Sequence, residues 1–263
     1  MAHKNAILLF IADIIGRPGY DTLAAYLPSL RKKYDVDVCI VNGENGVKGK
    51  GTTEELTKKY KSLGVDVITG GNHSWTFAPF RRYLKQAEHV LRPANYPPEA
   101  PGKGSTIYRT ASGLAVGVLN LQGRTFMYPI DCPFKRGMEE IEQLRQKTHI
   151  ILVDVHAEAS AEKMALAWYF DGKVSAVIGT HTHVQTADER ILPAGTAYIT
   201  DAGMTGPNDS VIGLNAEVAI KRFISGIPEH YQVAESNNRL NGVVVEVDVT
   251  TGRALNITRI NLP

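Results

Sequence analysis

The chain has almost no cysteine. Cys39 and Cys132 are the two present among 263 residues, too few for a disulfide framework or a thiolate metal site. Cys39 lies in an apolar run, where a free thiol acts as a small core residue. Charge of one sign is also lacking. With 29 basic and 27 acidic residues the formal net charge is +2, which gives no basis for a dedicated nucleic-acid or membrane face. The one basic cluster, Arg31 to Lys33, suits the last turn of a helix, where cations complement the dipole. No apolar run approaches the roughly 20 residues of a membrane span. The N-terminal "MAHKNAILLFIADIIG" is interrupted by Asp13 and has no small-residue cleavage site. It reads as a strand of the mature chain, with the cytoplasm as the expected address. Repeats, low-complexity tracts and linkers are absent as well, so residues 1–263 are expected to form a single domain.

What the chain does have is enough apolar material, 43% of its residues, to bury a full core. Short apolar runs alternate with helical patterns. "AILLFIAD" (6–13), "VDVCIVNGEN" (36–45) and "VDVITGGNH" (65–73) read as buried strands. Between them, "DTLAAYLPSLRKKY" and "TTEELTKKYKSLG" read as helices, the second with Thr and Glu at capping-box spacing and Gly64 as its stop. The rhythm is β-α-β-α-β, which implies a parallel sheet covered by helices. "LRPANYPPEAPGKG" (91–104) is a loop, too irregular for a polyproline ligand. After it, "STIYRT" and "LAVGVLNLQG" pair across Ser112-Gly113. "EEIEQLRQ" and "SAEKMALAWYF" are helical, "HIILVDVHAE" (149–158), "VSAVIGTHTH" and "TAYITDAG" are buried strands, and a helix near 215–225 precedes two final strands. Two sheets with outer helices are expected.

The polar residues fall where such a fold puts its ligands. Asp13 ends the first strand, Glu44 and Asn45 the second, Asn72 and His73 the third, His156 a later one, and His181 and His183 the strand at 174–180. The carboxyl ends of strands in an open α/β sheet form the crevice where ligands bind. On extended backbone, His181 and His183 would also point the same way. Carboxylate, imidazole and amide oxygen without thiolate suit manganese, iron or zinc. Two carboxylates and three histidines suffice for two divalent ions sharing one carboxylate. Such a pair activates a hydroxide for in-line attack on phosphorus.

Each residue also has a plain structural reading. Asp13 could cap the next helix. Glu44, Asn45 and Asn72 could form turns, His156 could be a hydrogen-bonded core histidine, and His73 could pack. His3, His89, His149 and His230 lack the pattern. Arg17, Arg92 and Arg124 lie in predicted loops where they could hold a phosphate or serve as surface cations. Glu158 reads as a surface carboxylate, with orientation of an imidazole as the functional alternative. Tyr and Phe near the Pro-rich loop could stack a base or pack beneath the loop.

The segments "AD" (12–13), "NGEN" (42–45), "GGNH" (70–73), "VDVHAE" (153–158) and "GTHTHVQ" (179–185), with "RPANYP", "LNLQGRTFM" and "ITDAGMTGP", occur in order over nearly the whole length. This pattern resembles the calcineurin-like metallophosphoesterases, specifically the YmdB-like branch, described as 2',3'-cyclic-nucleotide phosphodiesterases. It departs from the wider superfamily where Asp13 is followed by Ile14 and Ile15 in place of Asp-x-His, where Gly43-Glu44 stands for Gly-Asp, and where Ser74 follows Gly-Asn-His. The first two departures belong to the YmdB-like pattern.

The resemblance implies an α/β sandwich of two mixed β-sheets flanked by helices. It implies one metal held by Asp13, Glu44, Asn45 and His183, and a second held by Glu44, Asn72, His156 and His181. His73 would be proton donor to the leaving oxygen or a phosphate contact. The expected cofactors are two divalent metal ions, iron or manganese ahead of zinc. The expected substrate is a small phosphodiester, a 2',3'-cyclic nucleotide opened by a metal-bridging hydroxide to leave the 3'-phosphate. No stable nucleic-acid complex and no membrane are expected, and a symmetric homo-oligomer is compatible with this size. The alternatives are a broad phosphomonoesterase and a metal-bearing regulatory or RNA-processing partner with weak catalysis.

Overall fold

Because helices cover one face of each sheet and the other sheet covers the second, a central strand in this chain is buried on both sides. It therefore reads as a continuous apolar run. In β1 (Asn5–Ile11), Leu8 and Phe10 join the core between the sheets, while Leu9 and Ile11 join the core under the helices. The computed structural model describes residues 5–230 and 232–263, and His3 lies outside them.

The first half of the chain follows the expected rhythm: β1, α1 (Gly16–Tyr34), β2 (Val38–Asn42), α2 (Glu54–Ser62), β3 (Val67–Thr69) and α3 (Ala78–Leu84). After the Pro-rich loop come β4 (Ser105–Arg109), β5 (Ala115–Gln122), α4 (Pro133–Arg145), β6 (Ile151–His156), α5 (Ser160–Phe170) and β7 (Ala176–Thr180). The chain ends with β8 (Arg190–Ile191), β9 (Ala197–Ile199), β10 (Gly206–Pro207), α6 (Ala216–Ser225), β11 (Asn238–Asp248) and β12 (Ala254–Leu262).

One sheet carries β3, β2 and β1 in parallel, with β11 antiparallel to β1 and paired in turn with β12 and β10. The other runs β4-β5-β6-β7-β9-β8, parallel from β5 to β9 and antiparallel at both edges. The expectation of two mixed sheets flanked by helices is met. The two sheets face each other across Phe10, Ile40, Val118, Leu152, Ile178 and Val245. α1 and α2 close the outside of the first sheet, and α4 and α5 the outside of the second.

Three local expectations shift. The strands stop earlier than their apolar patterns suggest, β2 at Asn42 and β3 at Thr69, so the polar tails lie in loops beyond the sheet edge. α1 begins at Gly16 rather than at Asp21, because Pro18 sits in the first turn, where the missing N–H costs nothing. Its N-cap is Ile15 with no side-chain cap, so Asp13 is not a capping residue. α2 is capped by Thr53, which accepts from the Leu56 N–H. That is a simple cap one residue later than the expected box. No helix among the described residues is long and apolar enough to cross a membrane.

Candidate metal centre

The strand ends of both sheets meet at one edge of the sandwich. From the second sheet, His156 closes β6, fully buried. Its Nε2 lies 2.8 Å from Glu44 Oε1, 3.1 Å from Asn72 Oδ1 and 3.0 Å from His181 Nδ1. One ring nitrogen carries at most one proton, so it cannot satisfy three partners at once. Four donor atoms from four segments converging in this way form a ligand set. Glu44, His156 and His181 offer atoms that all lie within 4.8 Å of one another.

The tautomer of His156 is set from behind. Thr180 Oγ1 donates to Asp154 Oδ1 at 2.7 Å, so it accepts from the His156 Nδ1–H at 2.9 Å. That leaves Nε2 facing the cluster, where, against burial, Glu44 raises the pKa of the ring to about 9. Nε2 is therefore protonated toward Glu44 until a cation displaces the proton and takes the lone pair. Asp154 is itself held by Asn42 Nδ2 at 3.0 Å and by the Thr69 hydroxyl at 2.5 Å. Burial still lifts its pKa to about 6. His181 is oriented by the carboxylate of Glu158, 3.2 Å from its Nε2. Its Nδ1 is therefore the free lone pair. Burial, reinforced by His156, pushes its pKa down to about 3, so the ring is neutral and fit to ligate. Glu158 thus orients an imidazole rather than serving as a simple surface carboxylate.

The remaining residues lie around this core. Asp13, fully buried, accepts the His181 N–H through Oδ2 at 3.0 Å, while its Oδ1 has no partner. Burial raises its pKa well above the usual carboxylate range, opposed by His156 and assisted by Asp201 and Glu44. Asn45 donates to the Gly49 carbonyl at 3.0 Å, and its buried Oδ1 is also without a partner. His183 donates from Nδ1 to the Ile212 carbonyl at 2.9 Å, which leaves Nε2 as the free donor atom. A buried carboxylate oxygen and a buried amide oxygen without donors cost stability as they stand. Both are hard oxygen ligands, so a divalent cation satisfies them and the donor set fits one.

His73 reaches the cluster by its backbone. Its N–H donates to Glu44 Oε2 at 2.9 Å, while its ring Nε2 stands 3.4 Å from Asn72 Nδ2. Burial would raise the pKa of Glu44, but His156 and then His73 bring it down to about 2.

His181 and His183 share the site for a different reason from the one their spacing suggests. β7 ends at Thr180, and both histidines sit in a loop with positive φ, 96° and 65°. Left-handed backbone at two non-glycine residues is strained and concentrates at functional sites. Here Asp201 holds it. Its Oδ2 accepts from the Thr182 N–H at 3.1 Å, the Thr182 hydroxyl at 2.6 Å and Lys163 Nζ at 2.7 Å, while Oδ1 accepts from the Gly203 N–H at 2.8 Å. Lys163, on α5, is 1% exposed and Asp201 is fully buried.

Sequence reasoning missed Lys163, Asp201, Asp154 and Gly71. Asp154 carried a signal, since it lies two residues before His156 and so on the same face of β6. Lys163 had none, because a lysine on an amphipathic helix reads as solvated. A Cβ on Gly71 would lie 2.3 Å from His156 Cδ2 and 2.4 Å from Glu44 Oε2. The backbone must come this close for Asn72 to reach the cluster. Gly71→Ala is therefore expected to weaken metal binding by roughly 10–100-fold, read as a shifted midpoint when activity is titrated with added metal. An unchanged midpoint would remove this packing argument.

The candidate arginines divide. Arg92 is buried and donates to the carbonyls of Pro93, Ala94 and Ala100, so it ties down the Pro-rich loop. Arg17 pairs with Asp21 on the surface. The backbone N–H of Arg124 is anchored on Glu162. Tyr96 packs on Trp75, ring centroids 4.3 Å apart, and its hydroxyl lies 3.0 Å from Gln122 Oε1. Phe126 and Tyr128 are exposed.

The chain is similar to known proteins over nearly its whole length. A 2',3'-cyclic-nucleotide 2'-phosphodiesterase of Bacillus subtilis is 49% identical over 96% of each chain. Among solved structures, a Mycoplasma pneumoniae protein described as a novel phosphatase matches with a TM-score of 0.92 and 36% identity, over 98% of this chain and 93% of the other. A Thermus thermophilus protein described as hypothetical matches with a TM-score of 0.90 and 39% identity, over 98% of this chain and all of the other. The family model for YmdB-like proteins matches residues 9–260. A match of that extent, on a chain whose strand ends build this cluster, makes it a member of the YmdB-like metallophosphoesterase family.

Proposed function

We propose that this chain is a two-metal phosphodiesterase that opens 2',3'-cyclic nucleotides at the 2' bond and leaves the 3'-nucleotide. The observation that carries it is the convergence of Glu44, Asn72 and His181 on His156 Nε2, with the imidazole tautomers fixed from behind. The substrate follows the printed activity of the Bacillus subtilis relative.

Asp13, Glu44, Asn45 and His183 would hold one ion, and Glu44, Asn72, His156 and His181 the other. Oxygen and imidazole ligands without thiolate suit manganese, iron or zinc, and the family resemblance puts iron or manganese ahead of zinc. When bound, such ions supply Lewis acidity toward the phosphoryl oxygens and lower the pKa of water.

The chain's own residues do the rest. Against two dications, the carboxylates of Asp13 and Glu44 would leave the centre net positive, which would suit an anionic phosphate diester. Asp154, Thr180 and Glu158 keep the ligating lone pairs aimed. The His73 backbone N–H is fixed on Glu44, which leaves its ring free. Because burial lowers the pKa of that ring, against Glu44, its role as proton donor to the departing 2' oxygen would fade as pH rises.

The test is a product assay. Purified protein supplied with manganese should convert 2',3'-cyclic AMP to 3'-AMP, resolved chromatographically from 2'-AMP. It should also turn over bis(p-nitrophenyl) phosphate faster than p-nitrophenyl phosphate, and elemental analysis should approach two metals per chain. Faster release from the monoester would establish the phosphomonoesterase alternative. A His73→Ala protein that lost hydrolysis but kept its full cellular effect would establish the regulatory one.

A further inference from the structure

The Pro-rich loop brings one phenol to the metal edge and ties it down. Asn95 forms a reciprocal pair with Gln122, the last residue of β5. Its Oδ1 accepts the Gln122 N–H at 2.9 Å, and its Nδ2 donates to the carbonyls of Gln122 at 2.8 Å and Asp131 at 3.0 Å. The next residue, Tyr96, packs its ring on Trp75 and sets its hydroxyl 3.0 Å from Gln122 Oε1.

This phenol stands beside the candidate metal centre. Gln122 is in register with His156 on the neighbouring parallel strand, so both side chains leave the sheet on one face. Trp75 lies in the turn that begins at His73, where the Thr76 N–H donates to the His73 carbonyl at 3.1 Å. Burial raises the pKa of the phenol, opposed by Gln122 and assisted by Glu44, so the carboxylate shared by the proposed ion sites is near enough to act on it. Tyr96 is partly open to solvent. Gln122 is fully buried, and its Nε2 has no partner.

We propose that Tyr96 selects a nucleotide over a simple diester, its hydroxyl bonding to the ribose. This rests on the reading that the substrate is a 2',3'-cyclic nucleotide. In that reaction the 2' oxygen departs toward His73 and the ribose lies on that side, where Trp75 and Tyr96 follow His73. A phenol is neutral near pH 7 and both donates and accepts, which matches a sugar oxygen. Gln122 is the positioning residue. By turning over, its amide donates from Nε2 to the phenol oxygen and frees the phenol O–H for the sugar, so the unpartnered amide nitrogen gains a partner.

The experiment compares two substrates on the manganese-loaded protein: 2',3'-cyclic AMP, which carries a ribose, and bis(p-nitrophenyl) phosphate, which does not. Tyr96→Phe keeps the ring on Trp75 and removes the hydroxyl alone. The ratio of kcat/KM for the cyclic nucleotide to kcat/KM for the simple diester should fall roughly 10-fold, the worth of one hydrogen bond. The fall should lie in KM, as loss of uniform binding does. Gln122→Met, which fills the space but cannot direct the phenol, should lower the same ratio roughly 3-fold. The loss should be equal on 2',3'-cyclic UMP, since the ribose is common to both. An unchanged ratio in Tyr96→Phe would overturn the proposal. So would a loss confined to cyclic AMP, which would assign the contact to the base. An unchanged ratio in Gln122→Met would overturn its positioning role. A wild type that turned over the simple diester but neither cyclic nucleotide would overturn the substrate reading itself, and this inference with it.

Discussion

Replacing Glu44 by alanine should cost this protein both its metal content and its turnover. The carboxylate is 1% exposed and engages two separate groups, His156 Nε2 through Oε1 and the His73 N–H through Oε2. On the proposed assignment it is also the ligand common to both ions. Its loss removes the negative charge that balances the dications and leaves His156 facing Asn72 and His181 alone. The expected loss in kcat is at least on the order of 10³-fold, since water without a metal loses most of its acidity. In barrier terms that is about 4 kcal/mol. Elemental analysis checks the cause: metal per chain should fall below half of the wild-type value. Full occupancy with low turnover would make Glu44 a group acting on substrate, and full turnover would dismiss the assignment.

The second large effect lies away from the chemistry. Asp201→Asn should destabilise the fold by about 3–5 kcal/mol, because it leaves the Lys163 ammonium buried without its counter-charge. At roughly 2–4 °C per kcal/mol for a chain near this size, Tm should fall by on the order of 10 °C. Lys163→Met/Asp201→Asn should recover most of that loss, since no uncompensated charge then remains. If Asp201 also holds the left-handed loop, the double variant will still need more metal for half-maximal activity than the wild type. Thermal unfolding and metal titration of the same two proteins separate the roles. Recovery of both would reduce Asp201 to a stabilising partner of Lys163. No fall in Tm for the single variant would show that the pair carries little.

The two predictions draw on different depths of information. Glu44 could be nominated from the sequence because it ends an apolar run beside Asn45, in a fold whose strand ends form the ligand crevice. The same local reasoning nominated Asp13, Asn72, His156, His181 and His183. It also supplied the alternation of strands and helices, since burial on both faces writes an apolar run into each central strand. Lys163 and Asp201 could not be found that way. They are 38 residues apart, in a helix and a loop, and neither residue type advertises burial.

Composition and periodicity thus determined the α/β class, the absence of thiolate chemistry and the residue types at the strand ends, because each is a property of a few adjacent residues. Tertiary structure alone decided which atoms touch. Asn42 meets Asp154 across 112 residues, and Asn72 meets His156 across 84. Such contacts depend on which strands become neighbours and in what register, and on how the two sheets stack. The same packing chose the lone pair that each histidine presents, through Thr180, Glu158 and the Ile212 carbonyl. It also bent the backbone at His181 and His183 into a conformation their own preferences disfavour. Local sequence sets what a residue offers, and only the closed fold fixes what that offer meets.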